Sequence, residues 1–275
     1  MVHWLSIIKT CAENMKKQIH PLVGSAEAAA GFGRGAGGDI RKRIDIEAED
    51  SLIQTLQKHN ASCTLISEES GVKQIGAHPS EAFVTADPVD GTTNAVRGLP
   101  FVCISLAVSS KPVLEAVEVA LVADVLRDVT YVAEKNRGAY RNEQRIKPSE
   151  TNRLEEAVVG VDFNTFRTRE LVNRLIGILQ RTRHLRHLGA NALEICYVAD
   201  GTSDAFIDIR GKLRITDIAA AYLILLEAGG IINTPEGERL NVLLDPKQRV
   251  SFIAAANKSM YTTIMNLMET PEHSP

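Results

Sequence analysis

The residues best equipped for chemistry stand together in Asp87-Pro88-Val89-Asp90-Gly91-Thr92-Thr93-Asn94. Two carboxylates on a tight turn, with hydroxyl, amide and backbone donors just behind them, suit an oxygen-ligated divalent cation that holds a phosphate. A plain structural reading fits the same letters. Asp-Pro and Asp-Gly are common turn dipeptides, and Asp90 could simply cap a helix. Taken alone, the stretch leaves both readings open.

Further acids are scattered along the chain, each with an innocent explanation. Asp45 follows Lys42-Arg43-Ile44 at the start of a helical pattern, where the helix dipole favours a negative charge. Glu68-Glu69-Ser70-Gly71 closes a short apolar run and reads as a solvated turn. Asp217 opens the pattern Ile-Ala-Ala-Ala-Tyr-Leu-Ile-Leu-Leu-Glu-Ala-Gly-Gly as a helix cap would. His184 and His187 lack an HExxH-type partner, so packing or surface roles explain them; Arg181, Arg183 and Arg186 form a solvated face or anion contacts.

The elements that must position these side chains follow from periodicity. Ala82, Phe83 and Val84 form a buried strand ending on Asp87, with Pro88 breaking the ladder because it has no N–H. Residues 3–30 carry an amphipathic helix broken or bent at Pro21. The glycine cluster 31–38 is not a dinucleotide fingerprint, because a helix rather than a strand precedes it. With Asp39 it reads as a mobile loop suited to an active-site lid, 31–39. A second helix follows Asp45, and a strand covers 63–67. Residues 101–109, 113–122 and 129–134 suggest an antiparallel meander, with a further strand and turn at 138–142. Beyond it strands at 157–161, 184–188, 204–209, 229–233 and 250–256 alternate with helices at 168–181, 191–200, 216–228 and 257–268. Such alternation reads as layered α/β.

Composition removes several classes of function. The chain has 275 residues, 44% hydrophobic and 24% charged, ample for one large domain or two intimate ones. A net charge of −3 gives no polybasic footprint for nucleic acid or anionic membrane. No apolar run approaches the ~20 residues needed to span a bilayer, and no signal-peptide pattern opens the chain. Cys11, Cys63, Cys103 and Cys196 are far apart and read as reduced, packed thiols, pointing to the cytoplasm.

Together, Asp45, Glu68-Glu69, Asp87 to Asn94, and Asp217 to Gly230 resemble the inositol monophosphatase family in order and rough spacing. Lys42-Arg43-Ile44-Asp45, Ala192-Leu193-Glu194-Ile195-Cys196-Tyr197-Val198-Ala199 and Asp208-Ile209-Arg210 are similar to its archaeal branch, whose members commonly hydrolyse both inositol monophosphate and fructose 1,6-bisphosphate. The haloacid-dehalogenase-like Asp-x-Asp-Gly-Thr pattern is a different one. There one residue separates the acids; here two do, one of them proline, which argues against an aspartyl-phosphate nucleophile.

The resemblance implies a layered αβαβα sandwich of the sugar-phosphatase type, with a mostly antiparallel first sheet and a second mixed one. It would divide into a metal-binding half, 1–145, and a half carrying substrate contacts, 146–275. It implies Mg2+, in two or three ions, with Mn2+ as an alternative. Glu69, Asp87 and the Val89 carbonyl would hold one ion, and Asp87, Asp90 and Asp217 a second. A metal-activated water would attack phosphorus directly, with Thr92 and Asp45 taking up its proton and Glu69 beside them. Gly91 and Thr92 N–H groups would cradle the phosphate. Arg186, Gly189, Ala190, Asn191, Asp208 and Arg210 would meet the alcohol side, together with Asp90. Four acids in one pocket repel strongly unless cations neutralise them, and hard oxygen ligands without His or Cys suit Mg2+. Having both Arg186 and Arg210 favours a sugar bisphosphate as well as a monophosphate.

Three positions depart from the family pattern: Ala190 where a hydroxyl residue is common, Thr216 where Trp is common, and Asp39 in the lid. The expected activity is hydrolysis of small sugar or polyol phosphates by a cytoplasmic, lithium-sensitive homodimer, without nucleic-acid or membrane partners. Dephosphorylation of 3′-phosphoadenosine 5′-phosphate is an alternative with the same metal motif. A non-catalytic regulatory binding protein is another, disfavoured because every ligand position retains its acid.

Overall fold

A computed structural model describes residues 3–36, 38, 40–165 and 169–269. Its first helix, α1 (Trp4–Ile19), buries Ile7, Ile8, Cys11, Met15 and Ile19 at helical spacing. Pro21 then stands in the 3-10 turn His20–Leu22, where its missing N–H costs nothing. The glycine-rich segment is a hairpin rather than an irregular loop: β1 (Gly31–Arg34) pairs antiparallel with β2 (Ile40–Lys42). Asp39 lies outside the described residues.

The chain continues through α2 (Arg43–Lys58), β3 (Cys63–Ser67), β4 (Gly71–Ile75), β5 (Phe83–Asp90) and α3 (Thr92–Arg97). The predicted meander follows as β6 (Cys103–Ser109), β7 (Val117–Asp124), β8 (Thr130–Glu134), β9 (Gly138–Arg141) and β10 (Gln144–Arg145). Next come β11 (Val158–Val161), α4 (Arg169–Arg181), β12 (His184–Arg186) and α5 (Asn191–Ala199). The last elements are β13 (Ala205–Arg214), α6 (Ile215–Ala228), β14 (Ile231–Asn233), β15 (Arg249–Ala255) and α7 (Lys258–Glu269).

Strands β3 to β10 form an eight-stranded sheet in the order β10-β9-β8-β7-β6-β5-β3-β4, antiparallel except where β3 meets β5. Strands β11 to β15 form a mixed sheet in the order β12-β11-β13-β15-β14. Apolar side chains of α1 and α2 cover one face of the large sheet. Its other face packs against α5 and α6, which also meet Phe206 and Phe252 of the second sheet. Helices α4 and α7 cover that sheet's outer face. The layers therefore run αβαβα, as expected. Sandwiched helix α6 is buried from Ile215 to Leu225, which explains why its sequence shows almost no polar face.

Two local features differ from the sequence reading. Glu68-Glu69-Ser70 is a hairpin turn leading into β4, a strand hidden from periodicity by the exposed Val72, Lys73 and Gln74. Pro88 does not end β5. Asp87 pairs with Ser105 and Asp90 with Cys103, so β5 carries one more residue than β6 over that interval. This is a β-bulge, one of the places where a sheet tolerates proline.

Candidate active site

The site is assembled where β3, β5 and the start of α6 converge. One carboxylate oxygen each from Glu68, Asp87 and Asp217 lies within 4.8 Å of the others. Burial raises the pKa of all three, and mutual repulsion adds to the effect on Glu68 and Asp87. Arg214 Nη1 lies 2.9 Å from Glu68 Oε1 and counters part of this charge. Asp90 stands close enough to Asp217 to be raised by it, and its carboxyl is pushed up to about 8, mainly by burial. Asp90 Oδ2 accepts the Ala192 N–H at 2.6 Å, at the start of α5, and the Cys103 thiol donates to the same oxygen at 3.5 Å.

Glu69, named from sequence as the metal ligand, is not in this cluster. Its Oε2 accepts from Arg41 Nε at 3.0 Å, and Glu68 takes the place beside Asp87. The reason is strand alternation. Ser67 pairs with Ala86 in the parallel β3–β5 ladder, and the Glu68 N–H continues it to the Ala86 carbonyl, setting Glu68 abreast of Asp87. Along β3, Cys63 and Leu65 face α1 and α2 whereas Ile66 faces the layer holding α6. Even-numbered residues therefore point at Asp217. Counting that alternation against the helix that supplies Asp217 would have found Glu68. Glu69 joins the hairpin instead, where its carbonyl accepts the Ala36 N–H at 3.0 Å. A Cβ on Gly35 would come within 3.1 Å of Glu69 Oε2, a tight contact with the movable end of that side chain.

Asp45 and Thr92 do meet. Thr92 Oγ1 lies 3.1 Å from Asp45 Oδ1 and 3.0 Å from the Val89 carbonyl. Asp45 Oδ2 accepts the Lys42 N–H at 2.8 Å, and burial pushes its carboxyl up to about 6. Gly91 turns the chain into α3 with φ +91°, and a Cβ there would sit 2.7 Å from the Phe101 carbonyl and 3.2 Å from that of Gly189. Asn94 ties the same two regions, Nδ2 donating to Phe101 and Leu188 carbonyls at 2.9 and 2.7 Å.

The loop before α5 is held from inside by Glu194, whose Oε1 accepts N–H groups from Leu188 and Gly189 at 3.1 and 3.0 Å. Burial pushes the Glu194 carboxyl up to about 7. The sequence motifs include Asn94 and Glu194 but give neither its own role in the site; a lone acid in an otherwise apolar helix was the available signal for the second. The loop itself places Gly189 and the buried Ala190 against the turn at Gly91. Next to them, Asn191 lines a cavity of about 430 Å³ shared with Asp162, Arg210 and Asp217. Its Oδ1 is buried without a hydrogen-bond partner. An orphaned acceptor at this point fits a substrate hydroxyl.

The two arginines expected to bind anions are placed otherwise. Arg210 closes on Asp208 in a bidentate pair, Nε to Oδ1 at 2.9 Å and Nη2 to Oδ2 at 2.6 Å, and meets Asp162 Oδ2 at 2.6 Å as well. Its Nη1 donates to the Asn164 carbonyl at 3.0 Å. Arg186 is exposed, contacts the Leu185 carbonyl, and lines a separate cavity of about 370 Å³ with Phe101, Arg127 and Tyr197. The structure therefore does not bring Arg186 to Asp217 and Asp208.

Fold and site define a layered α/β protein in which separate segments deliver carboxylates to one point between two sheets. Residues 5–271 match the Inositol monophosphatase family, and the chain belongs to that family. It is 38% identical over 276 residues to the fructose-1,6-bisphosphatase/inositol-1-monophosphatase of Methanothermobacter thermautotrophicus, covering 97% of each chain. It is 32% identical to the bifunctional NADP phosphatase/NAD kinase of Methanococcus maripaludis, over 96% of this chain and 49% of that one. Among solved structures, one described as an inositol monophosphatase-fructose 1,6 bisphosphatase superposes with a TM-score of 0.86 at 32% identity, covering 97% of this chain and 100% of the other. The family resemblance read from scattered motifs is thus borne out, archaeal relatives included.

Proposed function

We propose that the chain is a Mg2+-dependent phosphatase of small sugar and polyol phosphates, acting on inositol 1-phosphate and fructose 1,6-bisphosphate by direct attack of water. The observation that carries this reading is the meeting of Glu68, Asp87 and Asp217 within 4.8 Å. The donor set fits a hard cation: every atom is a carboxylate oxygen, and their ionised forms are disfavoured until positive charge arrives. Glu68, Asp87 and the Val89 carbonyl would hold one ion, with Asp87, Asp90 and Asp217 a second; Mn2+ would suit the same oxygens. When bound, the cations supply charge against the phosphoryl group and acidify water.

The chain's own residues do the rest. The single Thr92 proton can go to Asp45 or to the Val89 carbonyl. With that carbonyl directed at a cation, Thr92 donates to Asp45 and its oxygen accepts from the attacking water. Asp45, raised by burial, is then placed to take up the proton. Gly91 and Thr92 N–H groups orient the phosphate, and Asn191 Oδ1 accepts a hydroxyl of the leaving alcohol. We further read the protein as a cytoplasmic homodimer. All four cysteines are buried and free, and Leu99 and Leu185 are exposed. Light scattering tests the dimer.

Phosphate release from inositol 1-phosphate and fructose 1,6-bisphosphate, with and without Mg2+, tests the activity. Turnover lost on chelation is expected. Preference for 3′-phosphoadenosine 5′-phosphate or NADP would move the protein to nucleotide substrates. Silence on all of them would overturn the phosphatase reading in favour of a binding protein.

A further inference from the structure

Helix α5 buries every residue from Ala192 to Ala199, and Glu194 is the one acid among them. A buried carboxylate must be matched by donors, and Glu194 finds them in the loop that leads into the helix. Its Oε1 accepts both the Leu188 and the Gly189 N–H. The Leu188 carbonyl is taken by Asn94 Nδ2 at 2.7 Å, so this residue is held at its N–H and at its carbonyl. A little further on, the Ala192 N–H is fixed to Asp90 Oδ2 at 2.6 Å. Only Gly189, Ala190 and Asn191 run between these anchors, so the place of Asn191 depends on where Leu188 and Gly189 are held.

Glu194 serves the loop rather than its own helix. The residue before α5, Ala190, offers no side-chain cap, yet Glu194 does not reach for the free N–H groups of the first turn; it reaches past them. Strand β11 makes room for it. Gly160 pairs with Phe206, and a Cβ on Gly160 would lie 2.9 Å from Glu194 Oε2 and 2.7 Å from the Phe206 ring. Both contacts are too short for any residue but glycine, so Gly160 is what lets the carboxylate stand where it meets the loop. Residues 160 and 194 are thus fitted to one another, and neither belongs to the cluster of Glu68, Asp87 and Asp217.

We propose that Glu194 is a positioning residue that sets selectivity for the leaving alcohol. By fixing Leu188 and Gly189 it places the orphaned Asn191 Oδ1 where a polyol hydroxyl can reach it, while attack on phosphorus proceeds without it. Glu194 touches no substrate, and Gly160 acts only by leaving it room. The inference rests on the sugar-phosphatase reading.

Inositol 1-phosphate carries hydroxyls around its leaving oxygen and 4-nitrophenyl phosphate carries none, so the ratio of their kcat/KM values reads the loop apart from phosphoryl transfer. With the full chain and Mg2+, Glu194→Leu should lower that ratio about tenfold, because two N–H groups lose their acceptor and the loop shifts. The loss should fall on KM for inositol 1-phosphate, with kcat for 4-nitrophenyl phosphate retained. Glu194→Gln keeps an acceptor oxygen and should hold the ratio near the wild-type value. Gly160→Ala, which displaces the carboxylate from β11, should lower the ratio in the same direction, and it decides the matter if Glu194→Leu does not fold. An unchanged ratio in the folded variants, or an equal loss on both substrates, would overturn the proposal while leaving the phosphatase reading intact. A wild type that hydrolyses neither phosphate would overturn both.

Discussion

Glu68, Asp87 and Asp217 gather around a gap with Arg214 at its edge, whereas Asp162 and Asp208 close on Arg210 from two sides. Both groups border the same cavity, and both are largely buried. In the second, burial raises Asp162 while Arg210 counters it, and two carboxylates against one arginine leave a single charge in excess. In the first, three carboxylates exceed one arginine, and the imbalance is left for ions from solution. Acid content alone therefore does not identify a metal site; the size of the shortage of internal cation does. The more nearly neutralised group can serve as a fixed floor for substrate, and the less balanced one as the place where charge changes during reaction.

The largest effect that would sharpen this contrast is on turnover. Glu68→Gln or Asp87→Asn should lower kcat by about 10³-fold or more, because each removes an anionic ligand for the cations that would face the transferring phosphoryl group. Near wild-type kcat in either would break the division between the groups. Arg210→Met should act on stability instead, leaving two buried carboxylates uncompensated at about 3 kcal/mol, measured by urea unfolding.

A smaller effect follows pH. Asp90 rises from an ordinary 3.8 to about 8 in the fold, with Glu68, Asp87 and Asp217 raised too. The chelated native state thus binds more protons than the unfolded chain across that window, and its stability falls as pH rises through it. Melting temperatures in chelator should decline towards pH 8, and Mg2+ should recover most at the alkaline end. A chelated protein that gains stability with pH would contradict this. The smallest effect belongs to residues outside both groups: Glu69→Gln and Arg186→Gln should change kcat/KM for inositol 1-phosphate by less than tenfold. A loss like that of Glu68→Gln would return Glu69 to the metal site.

Much of this architecture was legible because it is written in periodicity. The alternation of strands and helices from β11 onward, the meander, and the apolar α6 follow from spacing that burial enforces. Asp87, Asp90 and Asp217 were legible because turn, bulge and helix start carry recognisable letters. Glu68 was not, since choosing between adjacent acids requires the side of the strand, which the β3–β5 register decides. Arg210 was misread for a related reason: a guanidinium beside an aspartate two residues away satisfies that partner first. Strand β4 escaped because an edge strand with exposed polar residues has no apolar alternation to show.

The bulge at Pro88 has a consequence for how this site can vary. Val84 and Ala86 face α1 and α2, as does Val89, so the strand changes parity between Asp87 and Asp90. A regular ladder would send carboxylates three positions apart to opposite sides of the sheet; one surplus residue sends them to the same side. Deleting Val89 would keep both aspartates in the sequence, yet remove the surplus and the carbonyl that contacts Thr92. Residue count, as much as residue type, is therefore heritable information here. Insertions and deletions between 87 and 90 should be excluded even where substitutions of neighbouring side chains are tolerated.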